Sequence, residues 1–218
     1  VIVINSPGGS PVQASIIHDK IVYLKKKYKK KVVIVGEDAL ASGAYLVATS
    51  GDDIYVNSDT LTGSIGVIMS SFGFTDAMSK VGVERRVYTA GVNKDRLDPF
   101  KPVTKADKAK IQTVLNDVHQ SFIHDVLDGR EGRLKEDPKK LFTGDFWSGS
   151  EAVKLGLVDG TANLWTVLKK EFNVEYYREL TPRKSFLQHV LQDLNTELKL
   201  NLGADMQSPK LQAVLADH

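Results

Sequence analysis

The feature that most constrains the fold is a short apolar run that ends in a glycine turn and leads directly into a helical pattern. Residues 1–4 have the composition of a buried strand, and the turn Asn5-Ser-Pro-Gly-Gly-Ser10 follows. Residues 12–27 then repeat apolar side chains at helical spacing. A strand, a turn and a helix in this order form the unit from which α/β proteins are built, so the opening predicts an α/β fold.

The same pattern recurs along the chain. Residues 31–35 predict a second buried strand, and the small apolar residues of 39–48 predict the helix after it. Residues 54–56 predict a third strand before a turn-rich stretch, 57–66. Further elements are expected in order: strands at 67–69 and 84–88 around a helix at 75–81, a long packing helix at 104–128, and a short helix at 150–155 that ends at Gly156.

The C-terminal part of the chain differs from the rest. The composition changes after Asn173, Thr181-Pro182 interrupts the pattern, and residues 185–200 predict an amphipathic helix before a polar tail. We therefore expect one domain over residues 1–172, and a helical extension or oligomer contact over residues 173–218.

Composition excludes several classes of site. The chain has 218 residues, a formal net charge of +2 and no cysteine, which rules out disulfides, thiol nucleophiles and cysteine-based metal sites. No apolar run reaches the roughly 20 residues that span a bilayer. The chain starts without Met on a predicted strand, so we expect an N-terminal truncation, with any signal or membrane anchor in the missing part. The lysine-rich stretch 25–31 is interpreted as a solvated helix end, with a contact to acidic lipid or nucleic acid as the alternative.

Ser42 is the candidate nucleophile. It follows a predicted strand closely and opens a segment of small residues, where free backbone N–H groups and the positive end of a helix favour developing negative charge. A serine hydroxyl needs a proton acceptor and donors for the oxyanion. The N–H of Gly43 is one natural donor, and the turn at Gly8 and Gly9 supplies a second. The alternative for Ser42 is a helix N-cap, and for the glycines a simple turn.

The general base is assigned by elimination. Four histidines fall within predicted helices and the fifth is the last residue, which disfavours a Ser-His-Asp triad. A lysine can serve instead when it is desolvated, because burial disfavours the ammonium form. Lys94 is best placed, in the predicted loop 89–99. Ser64, in a turn flanked by glycines, can orient its amine. An exposed lysine and an ordinary turn serine are the alternatives.

These segments together resemble the signal peptide peptidases of the SppA and SohB type, peptidase family S49. The resemblance runs from about residue 1 to 159 and rests on five motifs in order. They are Asn5-Ser-Pro-Gly-Gly-Ser10, Ala41-Ser-Gly-Ala-Tyr45, Thr62-Gly-Ser-Ile-Gly-Val67, Gly91-Val-Asn-Lys-Asp95, and Phe142-Thr-Gly with Glu151-Ala-Val-Lys-Leu-Gly-Leu-Val-Asp159. Val92-Asn93 departs from many members, and the segment after Asn173 matches none of the motifs.

The resemblance carries expectations for the site, the fold and the setting. It implies Ser42 as nucleophile, Lys94 as base and Ser64 as the residue that orients it, with Gly9 and Gly43 as oxyanion donors. It further implies the Clp protease/crotonase-like spiral of ββα units, assembly into a homo-oligomer, and a lost N-terminal membrane anchor. The catalytic domain would lie at the cell membrane on the extracytoplasmic (periplasmic) side, and the substrates would be apolar peptides such as cleaved signal peptides. Neither a cofactor nor a metal is expected, and nucleic acid is not an expected partner.

Three other functions remain open at this stage. A crotonase-like acyl-CoA enzyme would share the fold without a serine nucleophile. A catalytically silent, membrane-associated scaffold would keep the fold without a desolvated lysine. A phage capsid-maturation protease of the same family would share the dyad.

Overall fold

The computed structural model describes residues 1–180 and the backbone of residues 210–216. They divide into two compact units, the first formed by residues 1–66, 122–180 and 210–216 and the second by Val67–Ser121. The predicted helix at 185–200 lies outside the described residues, as do His189 and His218. The division into a peptidase domain, 1–172, and an extension, 173–218, stays a prediction.

The first unit is built on one mixed sheet. Its strands are β1 Ile2–Ser6, β2 Val33–Ala41, β3 Asp53–Val56, β4 Leu61–Gly63, β5 Phe146–Ser148, β6 Gly160–Thr161, β7 Tyr177–Glu179 and β8 Lys210–Ala216. Its helices are α1 Pro11–Tyr28, α2 Gly43–Ala48, α5 Pro138–Leu141, α6 Gly149–Leu155 and α7 Leu164–Phe172. The α/β class is confirmed, while the ββα spiral stays a prediction.

The strand β2 organises the sheet. Its first half pairs in parallel with β1 on one side and with β3 on the other. Its second half pairs in parallel with β4, which continues antiparallel to β5. The register of β1 shifts between Ile4 and Ser6, so Ser6 lies opposite Leu40. β2 therefore changes pairing partners along its length, and its C-terminal end lies between the ends of β1 and β4.

Both faces of the sheet are covered, as parallel strands require. On one face Ile4, Ile34 and Ile54 pack with α1, α2 and the last turns of the long helix α4, Lys105–Gly129. On the other face Val3, Val33 and Val35 pack with Tyr55 and Val167 of α7. Neighbouring residues of β1 and β2 thus enter opposite cores, which explains their continuous apolar sequences.

A buried ion pair closes the first unit. Arg130, at the end of α4, is 2% exposed and binds the Asp159 carboxylate through both terminal nitrogens, at 2.8 and 3.0 Å. It also donates to the Gly156 carbonyl, while Asp159 accepts from the Ile54 amide at 2.7 Å. Burial raises the pKa of the Asp159 carboxyl, but hydrogen bonding and the charge of Arg130 outweigh it and hold the pKa below its usual value.

The second unit contains α3 Thr75–Lys80, the first turns of α4 and no strand over residues 67–121. The predicted strands at 67–69 and 84–88 are therefore wrong. A strand needs a hydrogen-bonded neighbour, and none lies beside these residues in the described part of the chain. Around 84–88, Arg85 instead pairs with Asp98 and stacks on the Phe100 ring at 4.8 Å.

Two other predicted elements are corrected in the first unit. The helix expected at 39–48 begins only at Gly43, because residues 39–41 belong to β2 and pair with β4. Small apolar residues fit both structures, so their spacing does not separate them. Residues 210–216, expected in a polar tail, form β8, which is antiparallel to β1 and β7.

None of the helices among the described residues combines the length and the apolar composition needed to cross a membrane.

The buried pair generates a stability prediction. The substitution Arg130→Met removes the buried one of the two arginines that pair with Asp159, and Arg133 still pairs with it at 2.8 Å. Leaving the partly buried carboxylate underpaired should lower the free energy of unfolding by about 3 kcal/mol. Urea unfolding followed by circular dichroism measures this change. Arg86→Met is the control, since Arg86 pairs with Glu84 on the surface and its loss should leave the unfolding midpoint unchanged. Equal midpoints for Arg130→Met and wild type would show that the pair does not stabilise the fold.

Candidate active site

Ser42 lies in a strained turn at the end of β2. Ala41 pairs with Gly63 of β4, and the Ser42 N–H donates to the Gly63 carbonyl at 2.8 Å. The backbone then turns at Ser42, with φ 51° and ψ −127°, and α2 begins at Gly43. Few non-glycine residues adopt a positive φ, and such strain clusters at functional sites. A sharp strand-to-helix turn of this kind presents a serine hydroxyl to substrate in α/β-hydrolases.

The N-cap alternative for Ser42 is not what the structure shows. The side chain makes no cap hydrogen bond to α2, and the residue is half-buried between buried Ala41 and Gly43. The helix has only six residues, so the expected dipole contribution is small and local amides must stabilise an oxyanion.

The glycine turn after β1 lies against this serine. A Cβ atom added at Gly8 would lie 2.7 Å from the Ser42 Cβ and 3.1 Å from the Gly43 nitrogen, and its φ is 124°. Similarly, a Cβ at Gly43 would lie 3.5 Å from the Gly9 nitrogen. A glycine at position 8 is needed for the two backbones to approach this closely. The structure thus brings Gly8, Gly9, Ser42 and Gly43 together.

The hydrogen bonds distinguish between the two turn glycines. The Gly8 N–H donates to the hydroxyl of Ser6 at 3.2 Å, and Ser6 is 2% exposed. The Gly9 N–H has no acceptor among the described residues. Because Gly43 is the first residue of α2, its N–H has no intrahelical partner either. Gly9 and Gly43 are therefore the amides available for an oxyanion, and Gly8 shapes the turn.

The turn that contains Ser64 adjoins the Ser42 turn. The carbonyl that holds the Ser42 N–H belongs to Gly63, the residue before Ser64. Ser64 also has a positive φ, 52°, and its N–H donates to the Asp145 carbonyl at 2.7 Å. A Cβ at Gly63 would lie 2.6 Å from the Trp147 ring, which supports this turn. The first unit therefore holds both serine turns side by side.

Lys94 belongs to the second unit. Its side chain is exposed and its N–H donates to the Gly91 carbonyl at 3.1 Å. Two ion pairs shape the segment around it: Asp95 with Lys101 at 2.8 Å, and Arg96 with Asp107 at 3.0 Å. The pairing of Lys94 with Ser42 stays a prediction.

The histidines occupy the elements that were predicted for them, as far as the structure describes them. His18 lies in α1, and His119 and His124 lie in α4. In the described part of the chain, no cluster of histidine, aspartate and glutamate side chains is placed to hold a metal ion.

Sequence reasoning missed the residues that support the site. The Tyr45 hydroxyl, fully buried one turn after Ser42, donates to the Leu157 carbonyl at 2.6 Å. Burial raises the pKa of this phenol well above its usual value, so it remains a donor. Tyr45, Leu157 and Trp147 are distant in sequence. The only signal for them was their place in or beside the quoted motifs.

Comparison with known proteins places this site in a family. The family model described as peptidase family S49 matches residues 24–174. Residues 8 and 9 precede that match, and Ser42, Ser64 and Lys94 lie within it.

Three relatives illustrate the similarity. A protein of Brucella melitensis named Na(+)/H(+) antiporter NhaA is 44% identical over 78% of this chain and 23% of its own length. A putative protease of Methanocaldococcus jannaschii is 35% identical over 78% of this chain and 54% of its own. A putative signal peptide peptidase SppA of Enterococcus faecium is 30% identical over 72% of this chain and 45% of its own.

The chain spans between about a quarter and a half of the length of these relatives. The family model, in contrast, covers more than half of the chain, from the last turns of α1 to the residues after α7. The chain belongs to peptidase family S49, whose members are serine peptidases.

Proposed function

We propose that this chain hydrolyses peptide bonds with Ser42 as nucleophile and Lys94 as general base. The observation that carries the proposal is the strained turn at Ser42, which lies beside the amides of Gly9 and Gly43, for which no acceptor is found among the described residues. A fixed pair of donors beside a serine hydroxyl is the arrangement that stabilises the tetrahedral intermediate of acyl transfer.

The proposed reaction has two steps. The Ser42 Oγ attacks the peptide carbonyl carbon while neutral Lys94 takes its proton, and the carbonyl oxygen becomes an oxyanion held by the two amides. The C–N bond then breaks, Lys94 gives the proton to the leaving amine, and an acyl-enzyme remains. Water attacks this ester with Lys94 again as base, which releases the acid and restores Ser42. Ser64 orients the lysine amine by a hydrogen bond in this scheme.

The state of Lys94 sets a condition on the mechanism. A lysine can act as a general base when it is desolvated, because burial disfavours the ammonium form. Lys94 is exposed, so the reaction requires that substrate or another protein surface covers it. We propose that a second copy of the chain does so, in a homo-oligomer. The described residues of the second unit support this, since no apolar side chain of residues 67–121 is buried.

We propose apolar peptides, such as cleaved signal peptides, as substrates. The Enterococcus faecium relative carries a name of that kind. The second unit also exposes large apolar side chains that would suit such a peptide, among them Ile68, Phe72 and Tyr88. The proposal includes the Clp protease/crotonase-like spiral and an extracytoplasmic (periplasmic) location at the cell membrane, with an anchor outside this chain.

Labelling with a fluorophosphonate tests the nucleophile. The probe should acylate Ser42, and the substitution Ser42→Ala should abolish labelling and lower peptide cleavage at least about a thousandfold. Peptide mapping by mass spectrometry locates the adduct, and Ser71→Ala, at an exposed serine of the second unit, should label like wild type. No adduct on Ser42 in a folded, assembled sample would favour the scaffold or the crotonase-like enzyme.

A matched pair of lysine variants tests the base. Lys94→Met should reduce the rate of acylation at least about a hundredfold, because general-base catalysis contributes that much or more. Lys101→Met, seven residues later in the same unit, removes an exposed lysine that already pairs with Asp95 and should keep the wild-type rate. Stopped-flow release of the leaving group measures both rates. Equal acylation by Lys94→Met and wild type would assign the base to another residue.

The glycine turn gives a prediction for the oxyanion site. In the variant Gly8→Ala the new methyl group collides with Ser42 and Gly43, so kcat should fall by about a hundredfold or more, as when an oxyanion donor is lost. Gly132→Ala is the control, because Gly132 also has a positive φ, 69°, but a Cβ there meets no atom within 4 Å. That variant should retain its kcat. A normal kcat for Gly8→Ala would show that the glycine turn is not part of the active site.

A further inference from the structure

The solvent side of α1 carries features that the proposed peptidase mechanism does not use. A surface helix normally turns polar residues outward. The inner side of α1 is apolar as expected, with Ala14 and Ile21 buried and Ile17 packed against the core. Its outer side is apolar and aromatic as well. We call it the lysine–tyrosine face, and it consists of Val12, Ile16, Lys20, Tyr23, Leu24, Lys27 and Tyr28.

These seven residues form one continuous stripe. At 100° per residue they fall within an arc of about 160°, which also contains Gln13 and, towards the core, Ile17. The exposed fractions are 63% for Val12, 57% for Ile16 and 52% for Tyr23. Packing within the described part of the fold therefore does not explain these apolar side chains.

Most lysines in and just after α1 lack ion-pair partners among the described residues. Lys25 pairs with Asp52 at 3.2 Å, and Lys31 pairs with Asp53 and Glu171. Five other lysines make no ion pair with any described residue: Lys20, Lys26, Lys27, Lys29 and Lys30. The only acidic residue of α1 is Asp19, which contacts His18.

The tyrosines and the lysines are interleaved. The Lys20 ammonium lies 5.2 Å from the centre of the Tyr23 ring, and the Lys27 ammonium lies 5.6 and 5.3 Å from the rings of Tyr23 and Tyr28. Both residue types have an apolar body and a polar tip, and both are suited to the boundary between a membrane and water.

A surface hollow beside the C-terminal end of α1 carries further positive charge. It is lined by Lys25, Lys26, Lys29, Lys30, Lys31 and Asp52, all of which lie outside the lysine–tyrosine face. Lysines at a helix C-terminus also stabilise the helix dipole. That role is limited to the last turn, however, and explains neither Lys29 and Lys30, which follow the helix, nor the apolar stripe.

We propose that the lysine–tyrosine face binds the surface of a membrane rich in anionic lipid. The lysines would pair with lipid phosphates, and the apolar side chains would enter the headgroup region, as in other interfacial helices. A nucleic acid would pair with the lysines but leave Val12 and Ile16 without a role. A second copy in a symmetric contact would place lysine against lysine.

Docking in this way has a consequence for the active site. The helix begins at Pro11, directly after the glycine turn, and Ala14 lies under α2, where a Cβ at Gly43 would be 3.3 Å from its side chain. A bilayer on the outer side of α1 therefore holds the oxyanion turn within one helix diameter, about 10 Å, of the lipid surface. Peptides released in the membrane would be cleaved where they emerge.

Vesicle co-sedimentation with the 218-residue chain tests the proposal. The chain should bind vesicles of equal parts phosphatidylglycerol and phosphatidylcholine, bind pure phosphatidylcholine far more weakly, and lose anionic binding in 0.5 M NaCl. The variant K20Q/K27Q should lower the partition coefficient roughly 25-fold, about fivefold per lysine. The control K105Q/K108Q removes two exposed lysines of α4 and should bind like wild type.

A second pair of substitutions tests the apolar part of the face. Ile16→Gln with Tyr23→Gln should weaken vesicle binding roughly tenfold and leave the salt dependence in place. Ser42→Ala should bind vesicles like wild type although it is expected to lose peptide cleavage. Cleavage therefore tests the peptidase proposal, vesicle binding tests this one, and either can fail without the other.

Four outcomes would overturn the proposal. They are equal binding to neutral and anionic vesicles, wild-type binding by K20Q/K27Q, tighter binding to a DNA duplex than to anionic vesicles at equal ionic strength, and dissociation of an oligomer by K20Q/K27Q in light scattering without vesicle binding by the wild type. Circular dichroism should show an unchanged melting temperature for the lysine variants and for Ile16→Gln with Tyr23→Gln, because these side chains are exposed.

Discussion

The parallel pairing of β2 is the constraint on which the rest of the structure depends. Its first half is held between β1 and β3, and its second half is held by β4. The strand cannot move without breaking three sets of backbone hydrogen bonds, so its C-terminal residue is fixed in space. Ser42 follows that residue, and the hydrogen bond to Gly63 fixes its own N–H. The strain at Ser42 persists because the surrounding sheet leaves no other path for the chain.

A second set of contacts fixes α2, the helix that follows Ser42. Tyr45 binds the Leu157 carbonyl, and Asp159, two residues later, binds Arg130 and the amide of Ile54 in β3. The segment that closes the domain thus connects α2 to the sheet and to α4. The buried Arg130 side chain donates hydrogen bonds to both the Asp159 carboxylate and the Gly156 carbonyl, so these buried polar groups are paired. Such support matters because oxyanion donors act only when they are already in place.

Much of the first unit could be predicted because its signals are local. Consecutive residues form the buried strand, the glycine turn and the helix, and the motifs around Gly8 and Ser42 are short. The end of β2 could not be predicted, since residues 39–41 are small and apolar and only their pairing with β4 makes them a strand. Trp147 under Gly63 was missed for the same reason, because nothing in residues 142–148 indicates what the indole contacts. The second unit was predicted worst. Its apolar residues at 67–69 and 84–88 have β-propensity, but no strand among the described residues lies beside them.

The proposed nucleophile and the proposed base therefore reside on parts of the chain with different physical properties. The oxyanion turn needs sub-ångström placement and lies on a sheet with a core on each face. Lys94 lies in a unit whose apolar side chains are all at least partly exposed, and a segment with little buried surface opens and closes at low free energy. A base needs hydrogen-bond reach and a dry environment at the moment of reaction, rather than permanent rigidity. In the proposed mechanism Lys94 would act only when something covers it, so the proposed enzyme would develop its full activity only where assembly, or a bound apolar peptide, removes water from that loop.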